Sequence, residues 1–135
     1  MKNHIRLACM IMFGVLLTPE LARSEMKAIE FKHKCQLVLD LSVKEEISDK
    51  ELAMAMSCLG RLQGFQLGWH VNQIYSAQNG AKPSMICFPK ELESGDSTMQ
   101  MAGIIVKYVD DTPTESHLTW DVILMRAFQE YYPCR

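Results

Sequence analysis

The sequence predicts a small all-α domain of four helices, arranged as antiparallel hairpins and stapled by disulfides. Three observations carry that fold class. Apolar residues recur at the three- and four-residue spacing of helices, and no stretch alternates with the two-residue period of a strand. Turn-forming clusters at 78–84, 93–96 and 110–115 cut the chain into segments of helix length. Cysteines in Ser57-Cys58-Leu59-Gly60, Cys87-Phe88-Pro89 and Tyr132-Pro133-Cys134 are spaced for disulfides on a helical scaffold. There are no internal repeats or low-complexity tracts.

The first residues read as an export signal. Lys2 and Arg6 lead into an apolar run from Leu7 to Leu17, and Ala22-Arg23-Ser24 puts small residues at the two positions a signal peptidase reads. Residues 1–24 are therefore expected to be a signal peptide cleaved after Ser24, with residues 25–135 as the mature domain. The run is shorter than the roughly 20 residues of a membrane span, and no later segment is apolar for that long. Arg6 also stands where a lipoprotein signal before Cys9 would need an apolar residue. The mature chain is expected to be free of the membrane and to reside in the periplasm.

Cleavage removes three of the 14 basic and one of the 16 acidic residues, which leaves a net charge near −4. Nucleic acid and anionic lipid call for basic patches, so neither is expected as a partner, whereas a basic protein surface is compatible. About 111 residues make one domain with one modest core. Four of the five cysteines survive cleavage: Cys35, Cys58, Cys87 and Cys134. An even count in an oxidising compartment reads as two bridges, with three connectivities open.

Each helix has its own signal. Phe31, Cys35, Val38 and Leu41 mark a first helix over 27–42. Ser48-x-x-Glu51 is a capping box that opens a long second helix, along which Leu52, Ala55, Leu59, Leu62, Phe65 and Trp69 form a core stripe. Gly60, Gly64 and Gly68 recur on another face of it. Each glycine costs about 1 kcal/mol relative to alanine in a helix interior, and close approach by another helix or by a second subunit would offset that cost; an early bend or end of the helix is the plainer reading. Ser97-x-x-Gln100 is a second capping box, ahead of Met101, Ile104, Ile105 and Tyr108. Asp110 to Glu115 read as a short acidic connection in which Pro113 can start a new helix. From Leu118 to Tyr131 nearly every side is apolar, so this last helix is expected to be the central one.

Hairpin register argues for the bridges. About a turn near residue 46, Cys35 lies 11 positions before and Cys58 lies 12 after, so the two face each other. About a turn near residue 113, the chain before the third helix meets the end of the fourth, which brings Cys87 to Cys134. Cys58 with Cys87 is the rival pairing.

The segments Cys58-x-Gly60-x-x-x-Gly64, Cys87-x-Pro89, Ile105-Val106-Lys107-Tyr108-Val109 followed by Pro113 and His117, and Phe128 to Cys134 together resemble the Rap/Tai immunity proteins of type VI secretion. The resemblance covers roughly residues 50–135 and rests on the order and spacing of these segments. It implies a small periplasmic helical protein, without enzymatic activity or cofactor, that binds and inhibits a cognate peptidoglycan amidase effector by occluding its active-site cleft, and it implies a homodimer. Arg61 departs from the pattern, which usually has an aromatic residue there. Asp111-Thr112-Pro113-Thr114 replaces a more usual His-Pro-Glu type of loop, and partner specificity can vary at such a place.

Candidate contact residues follow. Asp110, Asp111, Thr112 and Glu115 form the acidic turn, and Asn79 and Lys82 belong to a rival loop at 79–84. Solvated loop charge is their default role. A Cys/His hydrolase would need a free thiolate beside a histidine, and the cysteines are better explained as bridged. His33, His70 and His117 are scattered without ligand spacing, so no metal site is expected. Asp110 and Asp111 are adjacent in sequence, a poor arrangement for paired acid/base chemistry. Met54, Met56, Met99 and Met101 offer adaptable apolar surface. The alternative function is a small periplasmic chaperone activated by acid, which mild acidity, helices and methionines would also suit.

Overall fold

The computed structural model describes residues 25–44, 46–80, 85–93 and 97–134. The expected signal peptide, its cleavage site at Ser24, and Lys82 lie outside these residues. The described residues fold into four α-helices: α1 (Ala28–Asp40), α2 (Asp49–Asn79), α3 (Ser97–Asp111) and α4 (Trp120–Tyr131). Single turns of 3₁₀ helix at Lys90–Glu93 and Pro113–Glu115 connect them. Among the described residues strand-type pairing is limited to two isolated antiparallel bridges, Lys27 with Thr119 and Ile86 with Pro133.

Local chemistry explains where the helices begin and end. At α2 the capping box is complete: Glu51 N donates to Ser48 Oγ at 3.3 Å, and Ser48 N donates to Glu51 Oε2 at 3.0 Å. These hydrogen bonds, with Lys44 alongside, hold the Glu51 carboxyl well below its ordinary range, at about 2. The far end of α2 closes on Gly80 at φ 63°, a left-handed conformation that glycine adopts without a Cβ clash. Thirty-one residues make α2 about 46 Å long at 1.5 Å per residue. Ser97 is already helical and buried, so it opens α3 from inside, and its Oγ accepts from Gln66 Nε2 at 3.4 Å.

The core runs through α3, which packs on α1, α2 and α4 and buries Met101, Ala102, Ile104, Ile105, Val106, Tyr108 and Val109. The expectation that the last helix is central is corrected here. Helix α4 buries Ile123, Leu124, Ala127 and Phe128, while Val122 and Met125 are 37% and 39% exposed. As the outermost element it is covered on one side only, so apolar residues on its other sides face outward. Leu52 is likewise no core residue: it is 43% exposed at the start of α2, whereas Ala55, Cys58 and Leu62 are buried.

Two disulfides lock the arrangement. Cys35 on α1 is joined to Cys58 on α2 with Cα atoms 5.2 Å apart, and Cys87 to Cys134 with Cα atoms 5.0 Å apart. Chain-entropy arguments put each at about 3 to 4 kcal/mol for loops of 23 and 47 residues. The second bridge has backbone support, since Cys87 N donates to Tyr132 O at 2.9 Å and Cys134 N to Met85 O at 3.4 Å. Around it Phe65, Trp69, Phe88, Phe128 and Tyr132 form an aromatic cluster with tilted, edge-on and stacked pairs at 4.8 to 6.4 Å. At the other end, Ala28 N donates to Leu118 O at 2.8 Å and Trp120 N to Met26 O at 3.1 Å, tying residues 26–28 to the start of α4.

Candidate functional site

The acidic residues 110–115 are only partly a loop. Asp110 and Asp111 are the last two residues of α3, because Thr112 N still donates to Tyr108 O at 3.0 Å and Thr112 Oγ1 donates to the same oxygen at 2.6 Å. Carboxylates at a helix C-terminus oppose the macrodipole. Each is offset by a cation: Lys32 of α1 pairs with Asp110, and Lys107 pairs with Asp111 at 2.6 Å one turn away. The Asp111 carboxylate raises the Lys107 ammonium above its ordinary value by hydrogen bonding and charge.

Glu115 closes the cap. Its Oε2 accepts from the Tyr108 hydroxyl at 3.0 Å, and its Oε1 pairs with Arg126 of α4. Burial, then the Glu115 carboxylate, pushes the Tyr108 phenol up to about 12. The structure therefore brings Asp110, Asp111, Thr112 and Glu115 together as one acidic cap at the end of α3, with the side chains of Asp110 and Asp111 54% and 59% exposed. Asn79 is not part of it. It ends α2, is exposed, and its Nδ2 donates to Tyr75 O at 2.8 Å.

Gly60, Gly64 and Gly68 lie on the open side of α2. A Cβ built at any of them meets no atom of another element within 4 Å, so no helix among the described residues makes the close approach that their spacing invited. Of the apolar surface expected from Met54, Met56, Met99 and Met101, Met56 and Met99 are exposed and Met101 is buried. Met56, Leu67, Val71 and Tyr75 are 56%, 65%, 57% and 64% exposed, and together they leave an apolar strip along α2. The signal for it was the number of apolar residues on this helix, more than one buried face can take up.

Among the described residues no cysteine is free to act as a nucleophile. The four cysteines are in disulfides, and His33, His70 and His117 are exposed and on separate parts of the chain. Among the described residues no group of three or more His, Cys, Asp or Glu is placed to hold a metal ion, and no helix is long and apolar enough to cross a membrane. The surface carries a braced acidic cap and an open apolar strip on a disulfide-held frame.

No curated protein and no solved structure matches the chain. The family model of the Rap1a immunity proteins does match, over residues 27–134, a span that takes in all four helices and both disulfides. The chain belongs to the Rap1a immunity protein family.

Proposed function

We propose that this protein is a periplasmic, non-enzymatic inhibitor of a peptidoglycan amidase delivered by type VI secretion, and that it acts by occluding the amidase's active-site cleft. Membership of an immunity family supports binding to a secreted effector. The observation that carries the choice of surface is the acidic cap, in which Lys32, Lys107, Tyr108 and Arg126 fix the carboxylates of Asp110, Asp111 and Glu115 before any partner arrives. A pre-organised surface loses little entropy on binding, and exposed carboxylates steer toward a basic rim or a protonated histidine. The apparent signal peptide at 1–24 and the two disulfides support an oxidising compartment. The apolar strip of α2 with its open glycines supports a homodimer that places two such caps on one assembly.

The test is residual hydrolysis of peptidoglycan by the cognate amidase as the immunity protein is titrated in. Stoichiometric inhibition that weakens with Asp111→Lys supports cap-mediated occlusion. Inhibition unaffected by changes at Asp110, Asp111 and Glu115 refutes the cap, and failure to bind any secreted amidase refutes the target.

A further inference from the structure

The two disulfides differ in what can reach them. Cys35 and Cys58 join α1 to α2 inside the core, and both residues are 0% exposed. Cys87 is exposed and Cys134 half-buried, and both lie outside the four helices. Gln100, in the first turn of α3, donates to the Tyr132 hydroxyl at 3.3 Å, which places this second bridge at the start of α3. The acidic cap is at the other end of the same helix, 15 residues or about 22 Å away. Thiol–disulfide exchange needs a thiolate to touch a sulfur. A buried bridge therefore exchanges only after the fold opens, whereas an exposed one exchanges in the folded protein.

The segments joined by the second bridge are also tied without their sulfurs. Ile86 and Pro133 form a β-bridge, Cys87 N donates to Tyr132 O at 2.9 Å, and Cys134 N donates to Met85 O at 3.4 Å. Once opened, the two cysteines stay neighbours and can close again. The residues beside Cys87 belong to the aromatic cluster. Phe88 packs edge-on against Trp69 at 4.8 Å and Phe128 at 5.2 Å, and Trp69 Nε1 donates to Ile86 O at 3.1 Å. Release of Cys87 thus loosens the setting of Trp69.

We propose that Cys87–Cys134 is a thiol–disulfide exchange site for a protein dithiol of the Cys-x-x-Cys type, which opens it in the folded protein while Cys35–Cys58 stays closed. One thiolate of the dithiol attacks the exposed Cys87 sulfur, and the Cys134 thiolate leaves and takes up a proton. The second thiolate of the dithiol then displaces Cys87 from the mixed disulfide, and Cys87 is protonated in turn. Two electrons and two protons pass to the cysteine pair, and the dithiol becomes a disulfide. Opening loosens the aromatic pole and leaves the ion pairs of the acidic cap in place. The proposal is independent of the effector reading.

The experiment incubates the labelled mature protein, without denaturant, with reduced thioredoxin or with dithiothreitol, followed by timed alkylation and peptide mapping. With either reductant Cys87 and Cys134 should be alkylated at least about a hundredfold faster than Cys35 and Cys58, whose exchange waits for rare opening of the core. The difference should vanish in denaturant. In the folded, reduced sample the Trp69 indole N–H signal should shift, while that of Trp120, packed on Phe31 at the far pole, should stay. Removal of the dithiol should restore the original spectrum. Equal rates for the two bridges, earlier opening of Cys35–Cys58, or resistance of both overturns the proposal. Opening by dithiothreitol but not by thioredoxin overturns the assignment of a protein dithiol, and an unmoved Trp69 signal overturns the loosening of the pole.

Discussion

The Tyr108 hydroxyl donates to Glu115 Oε2 at 3.0 Å, linking the buried side of α3 to the 3₁₀ turn that follows it, and Arg126 of α4 holds the other oxygen of the same carboxylate. This links a core residue, a connecting turn and the last helix through one side chain. It has a pH signature. Burial and the Glu115 carboxylate raise the Tyr108 phenol from 10.0 to about 12, and burial raises Tyr132 as well. A folded-state value above the unfolded one contributes stability that is complete below about pH 10 and is lost as pH rises toward 12. Denaturant midpoints should therefore fall between pH 10 and 12, and Tyr108→Phe should flatten part of that fall. An identical alkaline profile in Tyr108→Phe would contradict this.

The opposite sign holds at Glu51, whose carboxyl is drawn down to about 2 by Ser48 and Lys44. Its contribution is present above about pH 4.5 and is lost as pH falls through about 2. Ser48→Ala removes the cap and should cost about 1 kcal/mol at neutral pH. Chemical melts of Ser48→Ala and wild type at pH 7 and pH 2 should differ by more at pH 7.

Thiol counting tests the bridges and the leader together. Mature protein unfolded without reductant should show no reactive thiol, whereas a chain that keeps residues 1–24 should show one, from Cys9. Cys134→Ser opens the loop of 47 residues and should cost about 2 to 5 kcal/mol.

Gly64→Ala is expected to stabilise the monomer by about 0.5 to 1 kcal/mol, because the added methyl enters open space and the helix gains propensity. Gly64→Leu should likewise not lower thermal melting, because its side chain also starts into open space and leucine favours the helix. If α2 joins two subunits, Gly64→Leu shifts sedimentation toward the monomer. A lower melting temperature together with an unchanged oligomeric state would mean that the glycine contacts a part of the chain outside the described residues.

Asp111→Lys exchanges the ion pair with Lys107 for repulsion on an exposed turn, with Asp111 59% accessible. Stability should change by less than about 0.5 kcal/mol. Association with the effector should slow, and its salt dependence should become shallower as a steering charge is lost. Stopped-flow association at two ionic strengths separates this from a folding defect.

Much of the frame could be read from residue order. The capping box at Ser48 and Glu51, the break at Gly80 and the apolar spacing of 28–40 and 97–111 each act over a few residues, so sequence alone determines them. Register within helices that turn near residues 46 and 113 likewise gave the pairing of Cys35 with Cys58 and of Cys87 with Cys134 found in the structure. Other features depend on contacts between residues far apart in the chain. Whether α3 or α4 is central depends on how many neighbours surround each, and an all-apolar pattern such as that of α4 does not count neighbours. Asp110 is paired with Lys32, which lies 78 positions earlier, and Glu115 is held by Arg126 of α4, so the acidic turn is braced by residues distant in the chain. Arg61 reads in sequence as an exception to a family pattern. Only packing placed it on Trp120, because a guanidinium can stack on that ring once two distant helices have docked.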